Sequence, residues 1–75
     1  MKTFKNLEDQ VFDIIKCKSQ LEMAWVGTNH IAKLCHILGW RTSIDEVEMI
    51  LGKLLWEKRV QMKHDNRLGE IFHIA

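Results

Sequence analysis

Among 75 residues, four histidines and two cysteines carry the most versatile chemistry, and His30, Cys35 and His36 crowd one short stretch with Cys17 not far upstream. A metal site on a helix needs ligands three or four residues apart, so that they share a face. His30 and His36 are six apart and diverge at about 100° per residue, while Cys35 turns toward the apolar side. No metal site is expected. The cysteines lack the density of a disulfide scaffold and read as reduced, partly buried small hydrophobes. His64 and His73 fall in the C-terminal region, where an imidazole could touch phosphate or respond to pH but is more often simply solvated. Serine is scarce, no nucleophile has a recognisable base and orienting acid, and no glycine loop is built to cradle phosphate. A chain this short also leaves little room for a closed pocket. The expectation is a non-enzyme with no cofactor and no small-molecule substrate.

Charge and aromatic patterning offer two other kinds of chemistry. Lys53, Lys58, Arg59, Lys63 and Arg67 gather toward the C-terminus, diluted by Glu57 and Asp65, and could contact phosphates. An ordinary solvated surface explains them equally well. Arg41, Thr42 and Ser43 could also face a polyanion, but Asp45, Glu46 and Glu48 follow at once and would repel it. Those three carboxylates also suit the positive end of a helix. Met49, Gly52 and Trp56 recur at i, i+3 and i+7, which makes a narrow apolar stripe. That stripe is either a contact face for a protein or a place where Trp56 folds down to complete a small core.

The elements that must position these residues are legible from periodicity. Asn6 caps a first helix with Glu8 and Asp9 in its first turn and Leu7, Val11, Ile14 and Ile15 on its buried face, ending near Lys18 or Gln20. Met23 to Val26 read as a short strand or extended arm before Gly27. Thr28 caps a second helix whose buried face holds Ile31, Leu34, Cys35 and Leu38, with Gly39 as its left-handed stop. Trp40 to Thr42 form a tight turn. Ser43 and Glu46 then make a capping box for a third helix over residues 43–60, with Ile44, Val47, Ile50, Leu51, Leu54 and Leu55 on one broad face. Val60 to His64 and Glu70 to Ile74 alternate as strands, and Asp65 to Gly69 carry turn chemistry, so the chain ends in a β-hairpin.

Length and composition bound the rest. The chain makes one domain, residues 1–75, near the lower size limit for unaided folding. A net charge of +1 means that any basic surface must come from segregation of charge, not its total. No apolar run approaches membrane-spanning length and the Met-Lys-Thr-Phe-Lys start lacks a signal-peptide stretch, so a cytoplasmic protein is expected.

The order helix, short strand, helix, tight turn, helix, two-stranded hairpin resembles the winged helix-turn-helix superfamily. The resemblance is carried by Trp25-Val26-Gly27-Thr28 with Ile31-Ala32, by Val47, Leu51, Leu54 and Leu55, and by Glu57-Lys58-Arg59-Val60 leading into the hairpin. It implies a mainly α fold with a small C-terminal wing. It also implies a regulator of transcription that contacts duplex DNA through the start of the third helix and the wing. The corresponding residues are Arg41, Thr42, Ser43, Lys53, Arg59, Lys63 and Arg67, and a homodimer would offset the weak binding of one near-neutral domain. The other reading is a non-enzymatic protein-protein interaction module that uses the Met49, Gly52 and Trp56 face of the third helix or the wing. Two features depart from the superfamily pattern: a longer interval between Ala32 and Gly39, and Lys58 where glycine is common.

Overall fold

A computed structural model describes residues 6–75 as an α+β fold of three helices and a three-stranded antiparallel sheet. The opening Met1 to Lys5 segment, and with it the signal-peptide expectation, lies outside the described residues. Helix α1 spans Leu7–Leu21, and the Asn6 side chain accepts the Asp9 amide at 2.9 Å. It runs slightly past the expected end because Lys18 and Glu22, one turn apart, pair at 3.0 Å and hold the last turn. Met23 then takes a left-handed conformation (φ 51°) and turns the chain back.

Strand β1 is only Val26–Gly27, shorter and later than the expected 23–26, because pairing with β3 begins only there. Helix α2, Thr28–Ile37, follows without a break. Its N-cap is Gly27, not Thr28, and no side chain caps it, since the sheet already holds the preceding residue. Gly39 (φ 96°) closes α2 as expected, with the Trp40 amide donating to the Cys35 carbonyl at 3.0 Å. Leu38, expected inside, is exposed because it occupies this C-cap.

Helix α3 spans Ile44–Trp56 and starts with the expected capping box between Ser43 and Glu46. It stops at Trp56, not Val60. Lys58 adopts φ 59° and the Arg59 amide reaches the Leu54 carbonyl at 3.0 Å, so a lysine fills the left-handed position usually given to glycine. Strands β2 (Val60–Asp65) and β3 (Gly69–Ile74) form the hairpin, and Asp65 Oδ2 accepts the amides of Arg67 and Leu68. The expected two-stranded hairpin is therefore part of a larger sheet ordered β1-β3-β2, with β3 central.

The core lies between the helices and one face of this sheet: Val11, Ile14 and Ile15 from α1, Ile31, Ala32 and Cys35 from α2, Val47, Leu51 and Leu54 from α3, with Val26, Val60 and Phe72. Ile44, placed on the same face as Leu51 by periodicity, is 45% exposed. On the other face of the sheet Ile71 is also buried, Trp25 lies 5.1 Å from the His73 ring, and Lys63 Nζ sits 4.4 Å over Trp25. No helix among the described residues is long and apolar enough to cross a membrane.

Candidate functional site

The solvent side of α3 is the least ordinary surface of the molecule. Trp56 is 86% exposed and Met49 76% exposed, and no atom of the described residues lies within 4 Å of where a Cβ on Gly52 would stand. Their spacing puts all three on one side of α3, opposite the buried Val47, Leu51 and Leu54. Trp56 is therefore not recruited into the monomer core. Gly52 also borders a groove of about 350 Å³ between α3 and the hairpin, floored by Leu51, Leu55, Met62 and Phe72. Glu48 and Glu70 edge this groove, and Asp45 and Glu46 are exposed in the first turn of α3.

The residues expected to contact DNA are drawn to different degrees into contacts within the fold. Thr42 is buried; its hydroxyl donates to the Ser43 carbonyl at 3.3 Å and its own carbonyl accepts from His36 Nε2 at 2.8 Å. The Ser43 hydroxyl is occupied by the Glu46 amide at 3.2 Å. Lys53 donates to Glu8 at 2.8 Å, and this hydrogen bond to Glu8 raises its pKa above the ordinary lysine value, so it stays charged at neutral pH. Arg59 pairs with the same Glu8 at 3.4 Å and with Glu57 at 3.6 Å, and its guanidinium lies 4.2 Å from the Phe12 ring centroid. Both cations thus fasten α3 and its exit to α1. Lys63 is stacked on Trp25; Arg41 and Arg67 remain exposed.

Arg67 belongs instead to a cluster that periodicity and spacing do not reveal. It lines a cleft of about 580 Å³ with Lys18 from α1, His30 and Lys33 from α2, and Trp25. Among the described residues, Glu22, which binds Lys18, is the one carboxylate in this lining. No local signal announces such a cluster, because its members lie on three elements and come together only when α1, α2 and the hairpin pack.

The remaining reactive groups are spread out. Cys35 is buried, and burial pushes its thiol up; Cys17 is exposed on α1, and partial desolvation, followed by the Asp13 carboxylate 3.7 Å away, holds it above the ordinary thiol value. His73 Nδ1 lies 2.9 Å from the Ile74 carbonyl. Among the described residues no group of three or more His, Cys, Asp or Glu side chains is placed to hold a metal ion. No protein family, curated protein or solved structure matches this chain.

Proposed function

We propose that this chain is a non-enzymatic winged-helix module that engages a protein through the solvent face of α3. The element order, with β1 added to the edge of the hairpin, supports the winged-helix reading. The exposure of Trp56 beside Met49 and the open Gly52 carries the functional reading. A tryptophan gains most by burial, and one held in water in the last turn of a helix marks a contact surface more readily than a packing element. Recognition of duplex DNA by α3 is the weaker reading. The first turn of α3 presents carboxylates, Thr42 is buried, and Lys53 and Arg59 already share the Glu8 carboxylate.

A photo-crosslinking amino acid in place of Met49 tests the proposal in cells. Discrete protein adducts are expected from position 49 and not from the same probe at Gln20, an exposed position on α1. Equal or absent labelling at the two positions removes α3 as an interaction face.

The convergence of Lys18, Lys33 and Arg67 favours a second reading, contact with a phosphodiester backbone through the cleft beside Trp25. Lys33→Ala with Arg67→Ala should then weaken binding to all duplexes similarly and lower the salt dependence by about one counterion for each phosphate no longer neutralised. Absence of duplex binding by the intact protein at low salt ends this reading.

A further inference from the structure

We propose that the cleft beside Trp25 takes one nucleotide unit of an unpaired strand, phosphate and base together, and so prefers single-stranded nucleic acid to duplex. This rests on the reading of that cleft as a phosphate site, and its charge, its walls and its shape select the unpaired strand.

Charge brings the phosphate. Among the described residues the lining sets Lys18, Lys33 and Arg67 against Glu22 alone, an excess of two positive charges. Lys18 and Glu22 satisfy one another at 3.0 Å. The exposed side chains of Lys33 and Arg67, by contrast, form no ion pair among the described residues. They come from α2 and from the hairpin loop, so two uncommitted cations line one recess from separate elements. Helix α2 contributes no carboxylate at any position, whereas the first turn of α3 holds Asp45 and Glu46. A polyanion is attracted to the first helix and repelled by the start of the other.

The walls bring the base. Trp25 and Leu68 give the recess an apolar side. Lys63 and His73 also touch the Trp25 ring, but neither lines the cleft, so the part of the indole that meets the cleft is not the part they cover. A planar base gains by lying against such a surface. Exposed Asn29, at the start of α2, lines the same recess. Its amide both donates and accepts, as the edge of an unpaired base does. A free phosphate or an acidic side chain engages only the cations and leaves the indole and the amide without a role.

Shape excludes the duplex. The recess, about 580 Å³, falls within the range of small-ligand pockets, roughly 300–1,000 Å³. A duplex is a stiff rod that keeps its bases stacked inside. It offers this recess a backbone but no base. A single strand offers both, because its bases splay out.

Fluorescence anisotropy at low salt tests this with three labelled probes: a short single strand of mixed sequence, an abasic strand of the same length, and the corresponding duplex. The intact strand should bind about fivefold or more tightly than either of the others. The duplex has the denser charge, so electrostatics alone would rank it first. Lys33→Ala and Arg67→Ala should each weaken all three probes and lower the single-strand salt slope by about 0.7. Asn29→Ala and Trp25→Leu should weaken the intact strand and leave the abasic strand unchanged. Asn29 is exposed and outside the core, so its variant reads the base contact even if Trp25→Leu disturbs the sheet. Equal affinity for the intact and abasic strands overturns the base contact and leaves the cleft as a backbone site. A duplex bound as tightly as the intact strand overturns the preference for unpaired strand and likewise leaves the phosphodiester reading standing. Polyglutamate that displaces the labelled strand as well as unlabelled strand does assigns the cleft to acidic peptides and overturns the inference. A strand affinity untouched by Lys33→Ala and Arg67→Ala also overturns it, by placing the strand elsewhere. No binding of any probe removes both readings.

Discussion

Ser19, on α1, accepts the backbone amide of Ile74 at 3.0 Å, although 55 residues separate them, while its hydroxyl donates to the Ile15 carbonyl at 2.7 Å. One buried hydroxyl thereby ties the last residue of β3 to the first helix. Ser19→Ala strips the Ile74 amide of that acceptor in a place water reaches poorly, at a cost of about 1–3 kcal/mol. Urea denaturation should show a lower midpoint with an unchanged slope; an unchanged midpoint would show that the bond contributes nothing net.

Lys58 holds a left-handed conformation at the exit of α3, where a side chain meets its own backbone. Lys58→Gly should stabilise the fold by up to about 1 kcal/mol, since glycine takes that conformation without the steric penalty but loses more freedom on folding. The check is a rise in melting temperature, and a fall would mean that the lysine side chain makes a compensating contact.

Leu51 and Ile44 sit on the same helical face by periodicity but differ in exposure, 2% against 45%. Leu51→Ala should cost about 2–5 kcal/mol, much of the stability of so small a domain. Ile44→Ala should cost about 1 kcal/mol or less. Chemical denaturation of the two variants side by side measures the contrast, and equal losses would place Ile44 in the core.

Glu8 binds both Lys53 and Arg59 at a partly exposed seam. Glu8→Gln should therefore lower stability by less than about 1 kcal/mol. The Glu8 contact raises the Lys53 pKa in the folded chain, so the Lys53 part of this stabilisation is complete below the unfolded lysine value and is lost as pH rises through the folded one. The gap between the stability curves of parent and variant should narrow in strong alkali by the Lys53 share, while the Arg59 share persists.

Both thiols titrate above the ordinary cysteine value, so both carry less thiolate at a given pH. Exposed Cys17 should be alkylated slowly by iodoacetamide near pH 8, faster as pH rises, and faster again in Asp13→Asn, which removes the nearby carboxylate. Buried Cys35 should react only after denaturant is added. Mass spectrometry of peptides containing each cysteine follows the two separately.

The sequence by itself determined the local elements. Asn6, the Ser43-Glu46 box and Gly39 mark helix ends through hydrogen bonds and backbone angles that involve residues only a few positions apart. Alternation around Asp65 to Gly69 likewise marked the hairpin, because strand periodicity is a property of consecutive residues. The acidic start of α3 and its Met49, Gly52 and Trp56 stripe were also legible. What the tertiary structure decided was which neighbours cover each residue. Helical periodicity separates faces, yet only docking shows that Leu51 is enclosed, that Ile44 is left exposed, and that Trp56 stays in solvent. Glu8 capturing Lys53 and Arg59, and the meeting of Lys18, Lys33 and Arg67 in one cleft, depend on how α1, α2, α3 and the hairpin pack. Such juxtapositions join residues tens of positions apart, and their energies depend on distances that no local pattern encodes.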